Sequence, residues 1–164
     1  MTYQRLLMLP LFLLGLAAPL LAQGTSVAFG TIRQDVSLPV EATADSLSVD
    51  QETGNATFEG NVVIGQGEMR LSAGLVKIVY RNEGQGIQRL EASGGVTLVS
   101  GPDAAEADRA DYNIDDGTIV LTGNVLLSQG ASAISAERMS IRLADGTAQM
   151  SGRVRTILQT GNDN

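Results

Sequence analysis

The fold is decided by residues 107–125, which read ADRADYNIDDGTIVLTGNV. Apolar and polar residues alternate on both sides of the Asp-Gly pair at 116–117, as in Tyr112 before it and Leu121 after it. Alternation with a period of two is typical of β-strands that bury one face. Asp-Gly between such strands favours a tight hairpin turn, because the turn residues need positive φ angles. The stretch therefore predicts one strand–turn–strand unit.

Working outward, the same unit occurs four times. Each copy starts at an Ala, which an acid follows in three copies, and ends in Gly-x-Val; the copies span residues 44–62, 73–96, 107–125 and 136–154. From leading Ala to final Val the copies advance 18, 23, 18 and 18 residues, and 11 residues separate each of the first three Val from the next Ala. The extra residues of the second copy fall in the turn region 81–89, where insertions are tolerated when the flanking strands are real.

Repeated units of this kind predict the fold class. A unit with one apolar face must bury that face, and stacked units do so as two facing sheets. We predict an all-β domain over residues 39–158, a twisted β-jelly-roll or V-shaped sandwich built from strand–turn–strand repeats, before a polar tail at 159–164. The glycine of each Gly-x-Val step lies mid-strand and predicts a bulge or sharp bend. The repeated acids Asp45, Asp108 and Glu137 are expected on a solvent face at strand starts.

The composition excludes several classes of function. The chain has no Cys and no His, which excludes thiol nucleophiles, Ser-His triads and the usual zinc sites. Its formal net charge is −7 without a run of basic residues, which disfavours nucleic acid as a partner. Turn acids such as Asp115 and Asp145 lack the spacing of a calcium loop, so turn formation is the favoured interpretation. We expect a binding protein with no enzyme activity, no cofactor and no metal site.

The N-terminus has the pattern of a signal peptide. Arg5 precedes a short apolar run that ends in small residues. We predict a signal peptide over residues 1–22 with cleavage after Ala22, or alternatively after Ala28, and then a leader over residues 23–38 with a possible edge strand. An uncleaved membrane anchor is the alternative, although the run from residue 6 to residue 22 has 17 residues, fewer than the ~20 that span a bilayer.

Two segments carry a resemblance to a known family. They are Ala44-Asp45-Ser46-Leu47 through Gly60-Asn61-Val62, and Ile119-Val120-Leu121 through Gly123-Asn124-Val125. With the signal peptide, this pattern resembles the OstA-like (organic solvent tolerance) family of periplasmic lipopolysaccharide-transport proteins. The second copy departs from it, since Gly74 replaces the acid and Gly95 the Asn, and Arg153 replaces the Asn of the fourth copy.

The resemblance implies a function and partners. Such proteins hold the acyl chains of lipopolysaccharide in an apolar groove and bridge an inner-membrane export complex to an outer-membrane translocon. They join edge to edge with like-folded partners, here an LptC-like inner-membrane protein and an LptD-like outer-membrane protein, and can self-associate head to tail. The implied location is the periplasm. The residues are compatible, because alternation in all four copies supplies a continuous apolar trough.

The groove candidates are the apolar residues on the alternating face. They are Leu47, Val49, Phe58, Val62, Ile64, Met69, Leu71, Ile78, Leu98, Tyr112, Ile114, Ile119, Leu121, Leu127, Met139, Ile141 and Met150. Phosphates of the lipid would have to meet Arg70, Lys77, Arg109, Arg138 or Arg142, or remain in solvent. Two alternatives stay open: a structural β-repeat protein in which the same residues form a closed core, and a membrane-anchored LptC-like relative.

Overall fold

A computed structural model describes residues 25–29, 37–81 and 86–157 of the chain. Within these ranges the secondary structure is β-strand without helix, which confirms the all-β prediction. The strands are β1 Thr25–Ala28, β2 Glu41–Thr43, β3 Ser46–Val49, β4 Ala56–Gln66, β5 Met69–Tyr80, β6 Ile87–Ser100, β7 Asp103–Asn113, β8 Thr118–Gln129, β9 Ser132–Arg142, β10 Thr147–Ser151 and β11 Arg155–Ile157. The signal peptide and the polar tail predicted from the sequence lie outside the described residues.

All eleven strands belong to one antiparallel sheet, in the order β1-β10-β9-β8-β7-β6-β5-β4-β2. Strands β3 and β2 pair with successive parts of β4, and β10 and β11 pair with opposite ends of β9. Neighbours in sequence are therefore neighbours in the sheet from β4 to β10. The exception is β1, which comes from the predicted leader and pairs with β10.

The Gly-x-Val steps bend the long strands. Gly123 and Asn124 of β8 lie opposite the single residue Glu137 of β9, because the register passes from Thr122↔Arg138 to Val125↔Ala136. An extra residue on one strand is a β-bulge, which bends that strand. The same shift occurs between the other long strands at the equivalent point, so the bends form one line across the sheet.

This line divides the sheet into two half-sheets. Half-sheet A comprises residues 25–28, 46–49, 56–59, 75–80, 87–93, 109–113, 118–122, 138–142 and 147–151, and half-sheet B comprises residues 41–43, 62–66, 69–73, 96–100, 103–107, 125–129, 132–136 and 155–157. The buried apolar residues of both halves form one core cluster. With no helix among the described residues, the half-sheets must cover each other, as the V-shaped jelly-roll prediction requires.

The acids of the repeat hold these bends. Gly123 and Asn124 have positive φ angles of 80° and 48°, and Asn124 Nδ2 donates a hydrogen bond of 2.9 Å to Asp108 Oδ2. In the fourth copy Arg153 Nε donates to Glu137 Oε1 over 2.6 Å. Asp108 and Glu137 are exposed but lie mid-strand, so the expectation that they mark strand starts is wrong. In these copies a side-chain acceptor lies where the ladder is interrupted.

The second copy keeps the bend by another means. Gly74 and Gly94 face each other there, and a Cβ on Gly74 would lie 3.1 Å from the backbone oxygen of Gly94. In this copy, the close approach of the two backbones takes the place of the hydrogen bond between the acid and the amide. The second copy lacks both of those side chains. Gly94 and Gly95 have φ angles of 81° and 79°, which glycine adopts without strain.

Candidate lipid-binding groove

The space between the half-sheets contains most of the groove residues predicted from the sequence. Thirteen of them are at most 3% exposed and belong to one cluster: Val62, Ile64, Met69, Leu71, Ile78, Leu98, Tyr112, Ile119, Leu121, Leu127, Met139, Ile141 and Met150. Phe58 and Ile114 are half-buried and pack against this cluster. The structure therefore brings these residues together, with their side chains in contact and the groove closed.

Apolar rows run across half-sheet A from β3 to β10. One row follows the register through Leu47, Phe58, Val76, Ala92, Ala110, Leu121, Met139 and Met150. Half-sheet B carries a matching row through Ala42, Ile64, Leu71, Leu98, Ala105, Leu127 and Ile134. Because neither row is interrupted by a polar side chain, the two surfaces form a continuous apolar lining.

Two predicted groove residues are not buried. Leu47 is 57% and Val49 is 60% exposed. Both lie on β3 directly opposite Phe58 and Ala56, so they continue the inward face of half-sheet A but half-sheet B does not cover them. At this edge of the sheet the apolar lining is open to solvent.

Polar side chains join the half-sheets at the rim of the V. Tyr112 of half-sheet A donates its hydroxyl proton to Gln66 Oε1 of half-sheet B over 2.7 Å, and both residues are buried. Gln66 Nε2 donates in turn to the backbone oxygen of Leu38 over 3.0 Å. Burial raises the pKa of Tyr112 to about 12, against a smaller lowering by the Gln66 bond, so the phenol stays protonated and can donate.

A second contact of this kind lies further along the rim. Gln129 Nε2 donates to the backbone oxygen of Ala28 over 2.7 Å and to Asp103 Oδ2 over 2.8 Å. Sequence reasoning missed Gln66 and Gln129. Their position in the strand could have indicated this, since each follows a buried residue, Ile64 or Leu127, by two positions. Residues two positions apart in a strand lie on the same face.

The five cations considered for lipid phosphates lie outside the groove. Each occupies the opposite parity to the buried residues of its strand, so it projects from the outer face. Arg70 Nη1 donates to the backbone oxygens of Gly67 and Met69, and Arg142 pairs with Asp145 at 3.1 Å. The remaining three, Lys77, Arg109 and Arg138, line one concavity on the outside of half-sheet A.

The acids at the turns accept hydrogen bonds from the backbone of those turns. Asp50 Oδ1 accepts hydrogen bonds from the N–H groups of Thr53 and Glu52, which lower the pKa of its carboxyl. Asp145 accepts from the Thr147 N–H, with the same effect on its pKa. In the described part of the chain, no three Asp or Glu side chains come together in a way that could hold a metal ion.

Comparison with known families shows which family the chain belongs to. The family described as LptA/(LptD N-terminal domain) LPS transport protein matches residues 41–147. The chain belongs to this family. The OstA-like resemblance is thereby confirmed, and the matched range holds most of the apolar rows of both half-sheets.

One relative matches part of the chain. An uncharacterized protein of Rhizobium meliloti (strain 1021) is 31% identical over 113 residues, which is 65% of this chain and 61% of that relative. The match thus spans less than two thirds of the length of the relative.

A solved structure shows the same fold. It is LptH from Pseudomonas aeruginosa, described as the LptA homologous periplasmic component of the conserved lipopolysaccharide transport device; it superposes with a TM-score of 0.68 at 18% identity, over 77% of this chain and 99% of that one. The β-jelly-roll prediction is confirmed. Within the ranges that the structure describes, no helix has the length and apolar character needed to cross a bilayer.

Proposed function

We propose that this protein carries lipopolysaccharide through the periplasm, from the inner-membrane export complex to the outer-membrane translocon, with the acyl chains held between the half-sheets. The observation that carries the proposal is the pair of uninterrupted apolar rows that cross the sheet and emerge at the open edge beside Leu47 and Val49. Membership of the LPS transport family supports it. The role is binding and transfer, without a catalytic step.

Acyl chains would enter by separating the half-sheets. The lining is packed, with Leu121 and Met139 fully buried. Each buried CH₂ of a lipid chain contributes about 0.8 kcal/mol, so an acyl chain can replace contacts that the half-sheets lose as they part. The bend line is the natural hinge, because the half-sheets are joined there through bulges instead of regular ladders.

The two ends of the sheet suit strand addition. Strands β2 and β3 lie at one edge, and β1 and β11 at the other. Edge strands present unpaired backbone groups to which a like-folded partner can add a strand. The proposed partners are an LptC-like protein, an LptD-like protein and, head to tail, a second copy of the chain. Joined this way, the apolar rows of adjacent domains would continue into each other.

Photo-crosslinking in living Gram-negative cells tests the carrier role. A photoactivatable amino acid at the half-buried Phe58 or Ile114 should yield adducts to lipopolysaccharide, since both positions contact the lining. Leu126 provides the matched control, because it lies on the outer face of β8 beside the inward Leu127. A closed structural core predicts no adduct at Phe58 or Ile114 in a protein that retains its β-sheet circular dichroism, and that result would refute the proposal.

The pairing of β1 favours one of the two candidate cleavage sites. We propose cleavage after Ala22, because cleavage after Ala28 would remove β1, which pairs with β10 through four residues. The mass of the exported protein decides the matter. A mature chain that starts at Gln23 agrees with the proposal, one that starts at Phe29 would refute it, and a retained residue 1–22 segment would favour the LptC-like anchored alternative.

A further inference from the structure

A concavity of about 650 Å³ lies on the outer face of half-sheet A, on the side of the sheet opposite the groove. Its centre follows one register row across five consecutive strands, β5 to β9. The outward residues of this row are Leu75, Ser93, Arg109, Thr122 and Arg138. Lys77 lines the same concavity from the adjacent row. An acidic protein thus carries a local cluster of cations on this face.

The charge pairing of the whole described chain makes this cluster unusual. Of the nine Lys and Arg in the described ranges, five are engaged by carboxylates or backbone oxygens: Arg70, Arg81, Arg89, Arg142 and Arg153. The other four, Lys77, Arg109, Arg138 and Arg155, form no ion pair within those ranges. Three of these four line the one concavity. Charges distributed only for solubility would not be expected to gather in this way.

The acids at the concavity are already engaged. Glu91 and Asp111 also line it, and Glu91 lies directly opposite Lys77 in the register. Arg89 binds both acids instead, through an ion pair to Glu91 and with its Nε 3.7 Å from Asp111 Oδ2. Three cations and two carboxylates line the concavity, and Arg89 beside it pairs with both carboxylates, so the concavity keeps a positive charge.

The spacing of the two arginines suits one tetrahedral oxyanion. Thr122 lies directly opposite Arg109 on one side and Arg138 on the other, so the two arginine Cα atoms are about 9.6 Å apart at the usual strand spacing. Both side chains leave the same face and can reach the space above Thr122. A guanidinium binds phosphate through two parallel hydrogen bonds, and the Thr122 hydroxyl can donate a further one.

We propose that this concavity is an anion site that takes a phosphate group, with Arg109 and Arg138 as the paired ligands above Thr122. The phosphate belongs either to the sugar headgroup of a glycolipid or to a free phosphate ion. The site lies on the outer face, so it binds its anion independently of the acyl chains in the groove. Where the ligand is a glycolipid headgroup, the inference rests on the proposed function.

Titration calorimetry with acyl-free probes tests the site. Pyrophosphate and deacylated lipopolysaccharide, which keeps the phosphorylated sugar backbone, should each bind the mature protein saturably at low salt. Arg109→Ala and Arg138→Ala should each weaken binding by about tenfold or more, as expected for loss of a bidentate phosphate contact. Arg109→Lys should weaken binding less than Arg109→Ala, because lysine keeps the positive charge but cannot form two parallel hydrogen bonds to phosphate.

Arg155→Ala is the matched control. It removes one unpaired exposed cation from β11, outside the concavity, and should change binding by less than about twofold if the site is specific. Equal weakening by Arg155→Ala and Arg109→Ala, or no saturable binding of either probe, would overturn the proposal. Circular dichroism of each variant shows whether the fold is retained, which the outward position of these side chains leads us to expect.

The two probes separate the sources of the phosphate. Tighter binding of deacylated lipopolysaccharide than of pyrophosphate assigns the site to the headgroup, and equal binding assigns it to free phosphate. Both probes lack acyl chains, so a failed crosslink at Phe58 leaves this result unaffected. A failed titration likewise leaves the groove proposal standing.

Discussion

The two ends of the apolar lining differ in how they are covered. At one end Leu47 and Val49 continue the inward face of half-sheet A and are more than half exposed. At the other end Met150 and Ala148 are fully buried, because β1 adds a strand beside them and Phe29 packs into the core. The apolar lining is therefore open to solvent at the Leu47 edge. At the other edge it is covered by β1 and Phe29, which together form a cap.

Under the proposed function, this difference would give the passage of lipid a direction. The cap comes from the leader segment, and its last described residue, Phe29, donates its N–H to the Gly146 oxygen over 3.0 Å. No comparable segment covers the inward face of β3 among the described residues. Under the proposed function, a lipid chain would meet the lining first at the Leu47 edge, and passage beyond the other edge would require the cap to yield or to join a partner.

Removing the packing of the cap should have the largest effect on the free energy of unfolding. Phe29→Ala removes a fully buried ring and should lower the free energy of unfolding by about 3–5 kcal/mol. Urea denaturation of the mature protein measures this loss. Leu47→Ala at the open end is the matched comparison and should lower it by less than about 1 kcal/mol. Equal losses at both ends would mean that the cap does not pack as described.

Weakening the rim between the half-sheets should have the next largest effect. Tyr112→Phe removes the hydrogen bond to Gln66 and should cost about 1–2 kcal/mol of unfolding free energy. The variant leaves both ends of the lining untouched. It should therefore raise lipid crosslinking at Phe58 if separation of the half-sheets limits entry, and leave it unchanged if the open edge alone suffices.

The same tyrosine predicts a dependence on pH. Its pKa is raised from 10.0 to about 12 in the folded protein. Below pH 10 both states keep the proton, whereas between pH 10 and 12 the unfolded chain loses it and the folded chain does not. The free energy of unfolding should fall across this window by roughly 2 kcal/mol. Tyr112→Phe should lack this fall, and Tyr80→Phe, at a half-exposed position, should retain it.

Loosening a single bend should have a smaller effect. Asp108→Ala removes the acceptor of the Asn124 hydrogen bond at an exposed site, with an expected loss of about 1 kcal/mol in urea denaturation. Asp45→Ala removes the equivalent acceptor beside the open edge, where Asn61 is the donor. Equal losses would show that the bend contributes the same stability along its whole length. A much larger loss at Asp45 would show that the open end depends on its bend.

Changing the open edge itself should affect stability least. The double variant Leu47→Ser and Val49→Ser alters exposed side chains, so the free energy of unfolding should change by less than about 0.5 kcal/mol. It should nevertheless reduce lipid crosslinking at Phe58, because the apolar path to that residue is interrupted. Unchanged crosslinking would contradict entry at this edge.

The repeat allowed the architecture to be predicted, because period-two alternation and turn glycines are local signals. Tyr112, Leu121 and Met139 lie on the predicted face for that reason. Alternation identifies a face but does not show whether another layer covers it, which is why Leu47 and Val49 were grouped with buried residues. Their exposure depends on how far the other half-sheet extends at the edge.

Long-range pairings were beyond sequence reasoning. The cap joins Thr25 to Met150, and the leader has no alternation strong enough to indicate that contact. The acid of three copies and the residue after each bend glycine are both visible in the sequence as parts of a motif. Their mutual hydrogen bond, as in Asp108 and Asn124, became evident only when the bulge placed them side by side.

The alignment of the bulges on one line has a consequence for how such a chain can evolve. Since every copy bends at the same point, duplication or loss of a whole copy would lengthen or shorten the trough by two strands, about 10 Å, without altering its cross-section. Insertions within a copy are confined to the turns, as the second copy illustrates. Gene duplication can therefore change the length of the trough by whole copies, while the cross-section of its interior stays the same.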